Sequence, residues 1–155
     1  MAHIHKLIDF VTNVLIVNKD RVLLVDHKKL KLWLPIGGHI ELNEDTDQAL
    51  IREIKEECGL KVEILSKKSL PDKKHIKFLY LPSFLDIHQI NDEHRHIALG
   101  YIAKSKTDKI KLRKSEHNNI RWFSKKDLDN PQFEIKKEIK YYCLEALKVA
   151  KQNND

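Results

Sequence analysis

The chain has 155 residues, 41% hydrophobic and 34% charged, with a formal net charge of +6. That is long enough for one domain with its own core, and the balance fits a globular protein rather than a disordered or fibrous one. No apolar run approaches the roughly 20 residues of a membrane-spanning helix, and Met1 to Lys6 lack the apolar core of a signal peptide, so a cytoplasmic protein with no membrane partner is expected.

The positive charge favours anionic partners by steering. With 7% aromatic residues and no recognised nucleic-acid motif, a small anion is expected as partner rather than a polynucleotide. Cys58 and Cys143 show no metal-ligand spacing and read as reduced structural residues. The chain is expected to act as a monomer or homodimer.

Residues 10–17 are strand-like, with frequent β-branched side chains, and Asn18-Lys19-Asp20 is a turn. Residues 21–25 return as a second strand, apolar enough to be buried on both faces. A polar loop over residues 27–31 can border a site. Trp33-Leu34-Pro35-Ile36 then leads into a glycine pair, with Trp33 read as packing rather than as a nucleobase platform.

Residues 37–60 carry the chemistry. Gly37-Gly38 let backbone approach a metal or phosphate closely. Asp45 or Thr46 can cap a helix that Gly59 stops. Leu50, Ile54 and Cys58 recur every four residues and form its buried stripe. Glu53, Glu56 and Glu57 project towards one side. Like charges at that spacing repel by roughly 0.2–0.5 kcal/mol per pair, and a hard divalent cation reverses the sign. Arg52 can reach Glu56 on the helix or Glu44 across the loop, orienting a carboxylate without being a ligand. Taken alone, such a helix reads equally as a solvated acidic face.

Residues 61–65 form a strand, 66–74 a lysine-rich loop with the turn signal Pro71-Asp72, and 75–81 another strand. A mixed connection over 82–93 precedes a strand at 94–103. Arg95, Ile97, Leu99 and Tyr101 lie on one of its faces, and His94, His96, Ala98 and Gly100 on the other. His94 and His96 could bind zinc, but no third ligand is evident. They read otherwise as a polar wall contacting substrate, or as surface histidines. A basic connection over 104–115 leads through Glu116 to a short strand at 120–123, and Ser124 caps the turn that follows. Residues 133–151 form the closing helix, with Ile135, Ile139, Tyr142, Leu144, Leu147 and Ala150 as its apolar face. Strands, a helix, more strands and a final helix make a mixed sheet held between helices.

Gly38, Glu44, Arg52, Glu53, Ile54, Glu56, Glu57, Gly59 and Leu60 fill every fixed position of the pattern G-x5-E-x7-R-E-U-x-E-E-x-G-U, where U is a bulky aliphatic. This resembles the signature box of the Nudix hydrolases, which cleave nucleoside diphosphates linked to another group. The resemblance implies an α/β/α sandwich with a mixed β-sheet, formed as a single domain over residues 1–155. It implies hydrolysis of a phosphoanhydride with Mg²⁺ or Mn²⁺. Gly37, Glu53, Glu56 and Glu57 would hold the metal. Glu53, Glu57, Arg52 and an acid outside the box would be catalytic, with Glu116 preferred over Glu93. Glu44 and Gly59 would be structural, and Gly38, His94 and His96 would lie on the substrate side. The implied substrates are nucleoside di- or triphosphates, oxidised nucleotides, ADP-ribose or nucleotide sugars. The alternative class is a catalytically silent nucleotide sensor of the same fold, which would be expected to lose a box glutamate. Two departures are visible. Ile36 separates Pro35 from the glycine pair, and Asn43 stands where many relatives have Gly; Asn tolerates positive φ better than most residues.

Overall fold

The computed structural model describes residues 3–111 and 117–153. Strand β1 (Ile8–Asn18) runs parallel to β7 (Arg95–Ser105). Its other edge is shared by β4 (Ile36–His39) and the start of β2 (Arg21–His27), both antiparallel. Beyond β7 lie β5 (Val62–Ile64) and β6 (Phe84–Gln89). β2 also pairs with β3 (Leu32–Leu34) and along its length with β8 (His117–Ser124). The result is one mixed sheet of eight strands.

Alternation along the central strands divides their side chains between two cores. Val14 and Ile16 of β1, Leu23 and Val25 of β2 and Tyr101 and Ala103 of β7 join Leu50 and Ile54 of helix α1 (Thr46–Glu57) and Cys58, its C-cap. Leu15, Val17, Val22, Leu24 and Ile102 face the other way and meet Cys143, Ala146 and Ala150 of helix α3 (Lys137–Gln152). Burial on both faces explains the nearly unbroken apolar runs of β1 and β2. Each such Val, Leu or Ile removed from water stabilises the fold by roughly 1.5–3 kcal/mol. The expected sandwich is therefore present. No helix among the described residues is long and apolar enough to cross a membrane.

Two expectations are corrected. Residues 75–81 do not form a strand; the region makes only the isolated bridges Lys68–Tyr80 and Lys73–Ile76. The strand is β6, inside the stretch read as a connection. Phe84 packs on Tyr142 of α3 with ring centroids 4.3 Å apart, and opposes Gly100, which has no side chain to exclude it. Leu85 and Ile87 point outward and are exposed, which hides the alternation from a sequence reading. The closing helix also begins later than residue 133. Phe133 ends a 3-10 turn, packed edge-on against Phe123 at 4.9 Å, and Glu134 takes a left-handed φ of 48° before α3 starts. A short helix α2 (Lys125–Leu128) precedes that turn, capped by Ser124 as expected. Trp33 packs edge-on against Phe123 at 4.9 Å, in keeping with a packing role. Cys58 and Cys143 are both free and buried.

Candidate active site

Helix α1 is fixed at its start by Asp45, whose side chain accepts from the Gln48 N–H while Gln48 returns a bond to the Asp45 N–H. It stops at Gly59, which takes a φ of 64° and donates to the Ile54 carbonyl. With Leu50, Ile54 and Cys58 against the sheet, Glu53 and Glu57 come down on the glycine strand. Gly38 is held against Glu53: a β-carbon there would stand 2.2 Å from Oε1. Gly37 is held against β1, where a β-carbon would meet the Thr12 carbonyl at 2.1 Å. The Gly37 N–H donates to Glu57 Oε2 at 3.3 Å.

Arg52 makes both contacts that its position allowed, and more. Nε and Nη2 hold the two oxygens of Glu44 at 2.6 and 2.9 Å. Nη1 reaches Glu53 at 2.6 Å and Glu56 at 3.4 Å, and Nη2 also donates to the His39 carbonyl at 2.9 Å. This fork keeps the Glu44 carboxyl below its ordinary pKa, and Glu44 in turn holds the guanidinium firmly protonated. The loop expected to need positive φ at Asn43 does not use it. Non-glycine residues with positive φ among those described are Lys19, Lys31 and Glu134. The turn closes instead through Glu44, whose N–H donates to the Glu41 carbonyl and whose side chain accepts from the Glu41 N–H.

Burial pushes Glu53 up to about 7, and the neighbouring Glu57 charge adds to the shift while Arg52 opposes it. Glu56 is different: its side chain is 48% exposed. It lines a groove of about 640 Å³ together with Asp47, Gln48, Ile51, Arg52, Lys55 and Lys77.

One buried partner of the box was missed by sequence reasoning. His117 Nε2 lies 3.1 Å from Glu57 Oε1, with both side chains under a tenth exposed. No spacing links position 117 to the box; only the β2–β8 pairing brings it there. Glu116 lies outside the described residues. Glu93 is exposed, its N–H bonded to Asn91 Oδ1 at 3.0 Å.

His94 and His96 gather elsewhere, with His3, Asp9 and His39, in a group whose ligand-type atoms lie within 4.8 Å of one another. Side chains of ligand type that the sequence did not bring together with them thus stand beside them, contributed by segments far apart in the chain. Alternation settles where this group lies. Asp9 has the parity of Leu15 and Val17 on β1, and His96 that of Ile102 on β7, so both face the α3 side. His39 is opposite in parity to Ile36, which faces α1. The carboxylates of α1 and the histidine group are thus on opposite faces of the sheet.

Known proteins resemble the chain in sequence and fold. The NUDIX domain family model matches residues 9–145. A NUDIX-family hydrolase from Clostridium perfringens superposes with a TM-score of 0.82 at 37% identity, covering 92% of this chain and 97% of that one. The oxidized purine nucleoside triphosphate hydrolase of Mus musculus is 32% identical over 55% of this chain and 54% of its own length. The m7GpppN-mRNA hydrolase NUDT17 of Xenopus laevis is 30% identical over 47% of this chain and 31% of its own. The chain thus spans between a third and about half of these curated relatives.

Proposed function

Starting from a chain that belongs to the Nudix hydrolase family, we propose that it hydrolyses a phosphoanhydride bond in a small nucleoside di- or triphosphate or related derivative, using Mg²⁺ or Mn²⁺. The observation that carries this reading is the buried Glu53–Glu57 pair set against the Gly37-Gly38 backbone and aimed by Arg52. The donor set fits a hard cation. It is all oxygen, it places two buried carboxylates side by side, and glycine leaves room for close approach. Glu53, Glu56 and Glu57, with the Gly37 carbonyl, would hold the ion, which when bound neutralises phosphate oxygens and activates water.

The chain's own groups do the rest. Arg52 and Glu44 lock the orientation of Glu53 and Glu56. Lys55, on the groove beside Glu56, supplies positive charge for phosphate, whereas Lys77 on the same groove is paired with Asp45 at 2.7 Å. A carboxylate takes the proton of the attacking water. Glu116, preferred in the sequence over Glu93, is the proposed base. Glu53, whose pKa stands near 7, is the candidate within the box. For the nucleoside end, the sheet face shared with α1 offers an apolar shelf. Phe10, two residues along β1 from Thr12, is 50% exposed there, and Leu85 and Ile87 of β6 are 68% and 51% exposed. A planar base can stack on such a surface.

The test is a panel of nucleoside triphosphates, oxidised nucleotides, ADP-ribose, nucleotide sugars and dinucleoside polyphosphates, with products identified by mass. Cleavage at a phosphoanhydride that chelation abolishes is the expected result. Full turnover after chelation defeats the metal requirement. Tight binding with no turnover of any member turns the reading to a nucleotide sensor.

A further inference from the structure

We propose a second cation site in this protein, for a divalent transition metal of the Zn²⁺ class, held by His3, Asp9, His39 and His94 on the sheet face opposite the carboxylates. Asp9 Oδ2 is its hub. From that oxygen, His39 Nε2 stands at 3.2 Å, His3 Nδ1 at 3.3 Å and His94 Nε2 at 3.4 Å. Bonds of about 2.0–2.1 Å in a regular tetrahedron put neighbouring ligand atoms about 3.3–3.4 Å apart. The three distances from Asp9 match edges of a tetrahedral ligand set, and all the ligand-type atoms of the group lie within 4.8 Å of one another.

The surroundings hold these atoms as a metal centre requires. Asp9 is wholly buried and anchored by backbone, accepting from the His5 N–H at 2.7 Å and the Ile4 N–H at 3.1 Å. His94, 2% exposed, places Nδ1 at 2.9 Å from the Lys6 carbonyl. A carbonyl only accepts, so Nδ1 carries a proton and donates it there, which turns Nε2 towards the cluster. Metal-ligating histidines are typically oriented in this way. Nε2 of His94 makes no hydrogen bond, and the Asp9 carboxylate stands 3.4 Å from it. A cation there would give the buried nitrogen and the carboxylate oxygen a common partner. His96 borders the set, and its buried Nε2 also makes no hydrogen bond.

Ligand chemistry separates this site from the carboxylate one. Imidazole nitrogens select borderline transition metals, whereas an all-oxygen set suits Mg²⁺ or Mn²⁺. Four protein ligands complete a tetrahedron, which is the closed pattern of a structural site. The ligands come from the segment before β1, from β1, from the end of β4 and from the entry to β7. A bound ion would pin the first residues of the chain to three strands of the sheet.

The experiment uses tag-free full-length protein, stripped with chelator and titrated with Zn²⁺ alone against a chromophoric competitor, with thermal melting alongside. One equivalent per chain is expected, retained in excess Mg²⁺, with a raised melting temperature. Co²⁺ in its place should give the intense visible absorption of a tetrahedral ion. His3→Ala removes a partly exposed ligand without opening the core, and should weaken Zn²⁺ binding by roughly tenfold or more. His94→Gln should do the same, while the pair Glu53→Gln and Glu57→Gln should keep the equivalent. Sub-stoichiometric Zn²⁺, unchanged affinity in both histidine variants, or loss of the equivalent in the glutamate variant would each overturn the proposal.

Discussion

Gly38 and Glu53 stand so close that a β-carbon at position 38 would lie 2.2 Å from the carboxylate oxygen. The glycine is there because the carboxylate fills the space a side chain would need. Gly38→Ala should therefore move Glu53 rather than unfold the strand. Displacement of a catalytic group by an ångström can cost about 10²-fold in rate. We expect kcat/KM to fall by about that factor, with a loss of roughly 1–3 kcal/mol in stability. Steady-state kinetics beside a urea melt separates the two effects.

Glu53 makes the metal-free fold sensitive to pH. Its pKa is raised from 4.5 to about 7, so between those values the folded state holds a proton that the unfolded chain has lost. The stabilisation is complete below the unfolded value and disappears as pH rises through about 7. Metal-free protein should thus melt at a lower temperature at pH 8 than at pH 6, and Glu53→Gln should remove much of that difference. The same variant should turn over substrate roughly 10²–10⁴-fold more slowly if Glu53 is the base. A melting curve of the Gln variant with the wild-type pH slope would count against the assignment of the shift.

Arg52 acts as a fork, which lysine cannot replace. Arg52→Lys should lower kcat while leaving the fold intact, and Arg52→Ala should cost roughly 1–3 kcal/mol through lost charged hydrogen bonds. The acid limb should also change. Glu44 has a depressed pKa in the folded protein, so its contribution is present above the unfolded value of 4.5 and is lost as pH falls through the folded one. In Arg52→Ala, stability should decline less steeply with acid than in wild type.

The acid outside the box is decided by two substitutions. Glu116→Gln should reduce kcat by roughly 10²–10⁴-fold with binding largely kept, and Glu93→Gln should be close to wild type. The reverse pattern assigns the role to Glu93, and two near-normal variants return it to Glu53.

Helix α1 was legible because its cap, its stop and its four-residue stripe are all local. The carboxylates followed from spacing on that helix, and Arg52 had both predicted partners in reach. Strand β6 was not legible, because its pattern is inverted: Leu85 and Ile87 face outward, while Asp86 turns inward to accept a hydrogen bond from the Tyr142 hydroxyl. Its register depends on Gly100, in a strand that follows it. His117, and the residues that join His94 and His96, were invisible for a related reason. Their partners come from separate segments, and only strand pairing sets the distances between them.

The parallel pairing of β1 with β7 also dictates an order of assembly. Ile8 aligns with Arg95 and Val17 with Lys104, so most of the chain lies between partners that must meet. β2 and β4 are close in sequence and can join β1 early, as can α1, but the opposite edge of β1 stays open until β7 has been made. Contacts between distant segments form slowly because the intervening loop must first lose its freedom. During synthesis the first half of the protein therefore carries an apolar strand with a bare edge, the kind of edge that other chains can pair with. Truncation before residue 95 should leave that edge without its partner, and aggregation rather than a smaller folded domain is the outcome to expect.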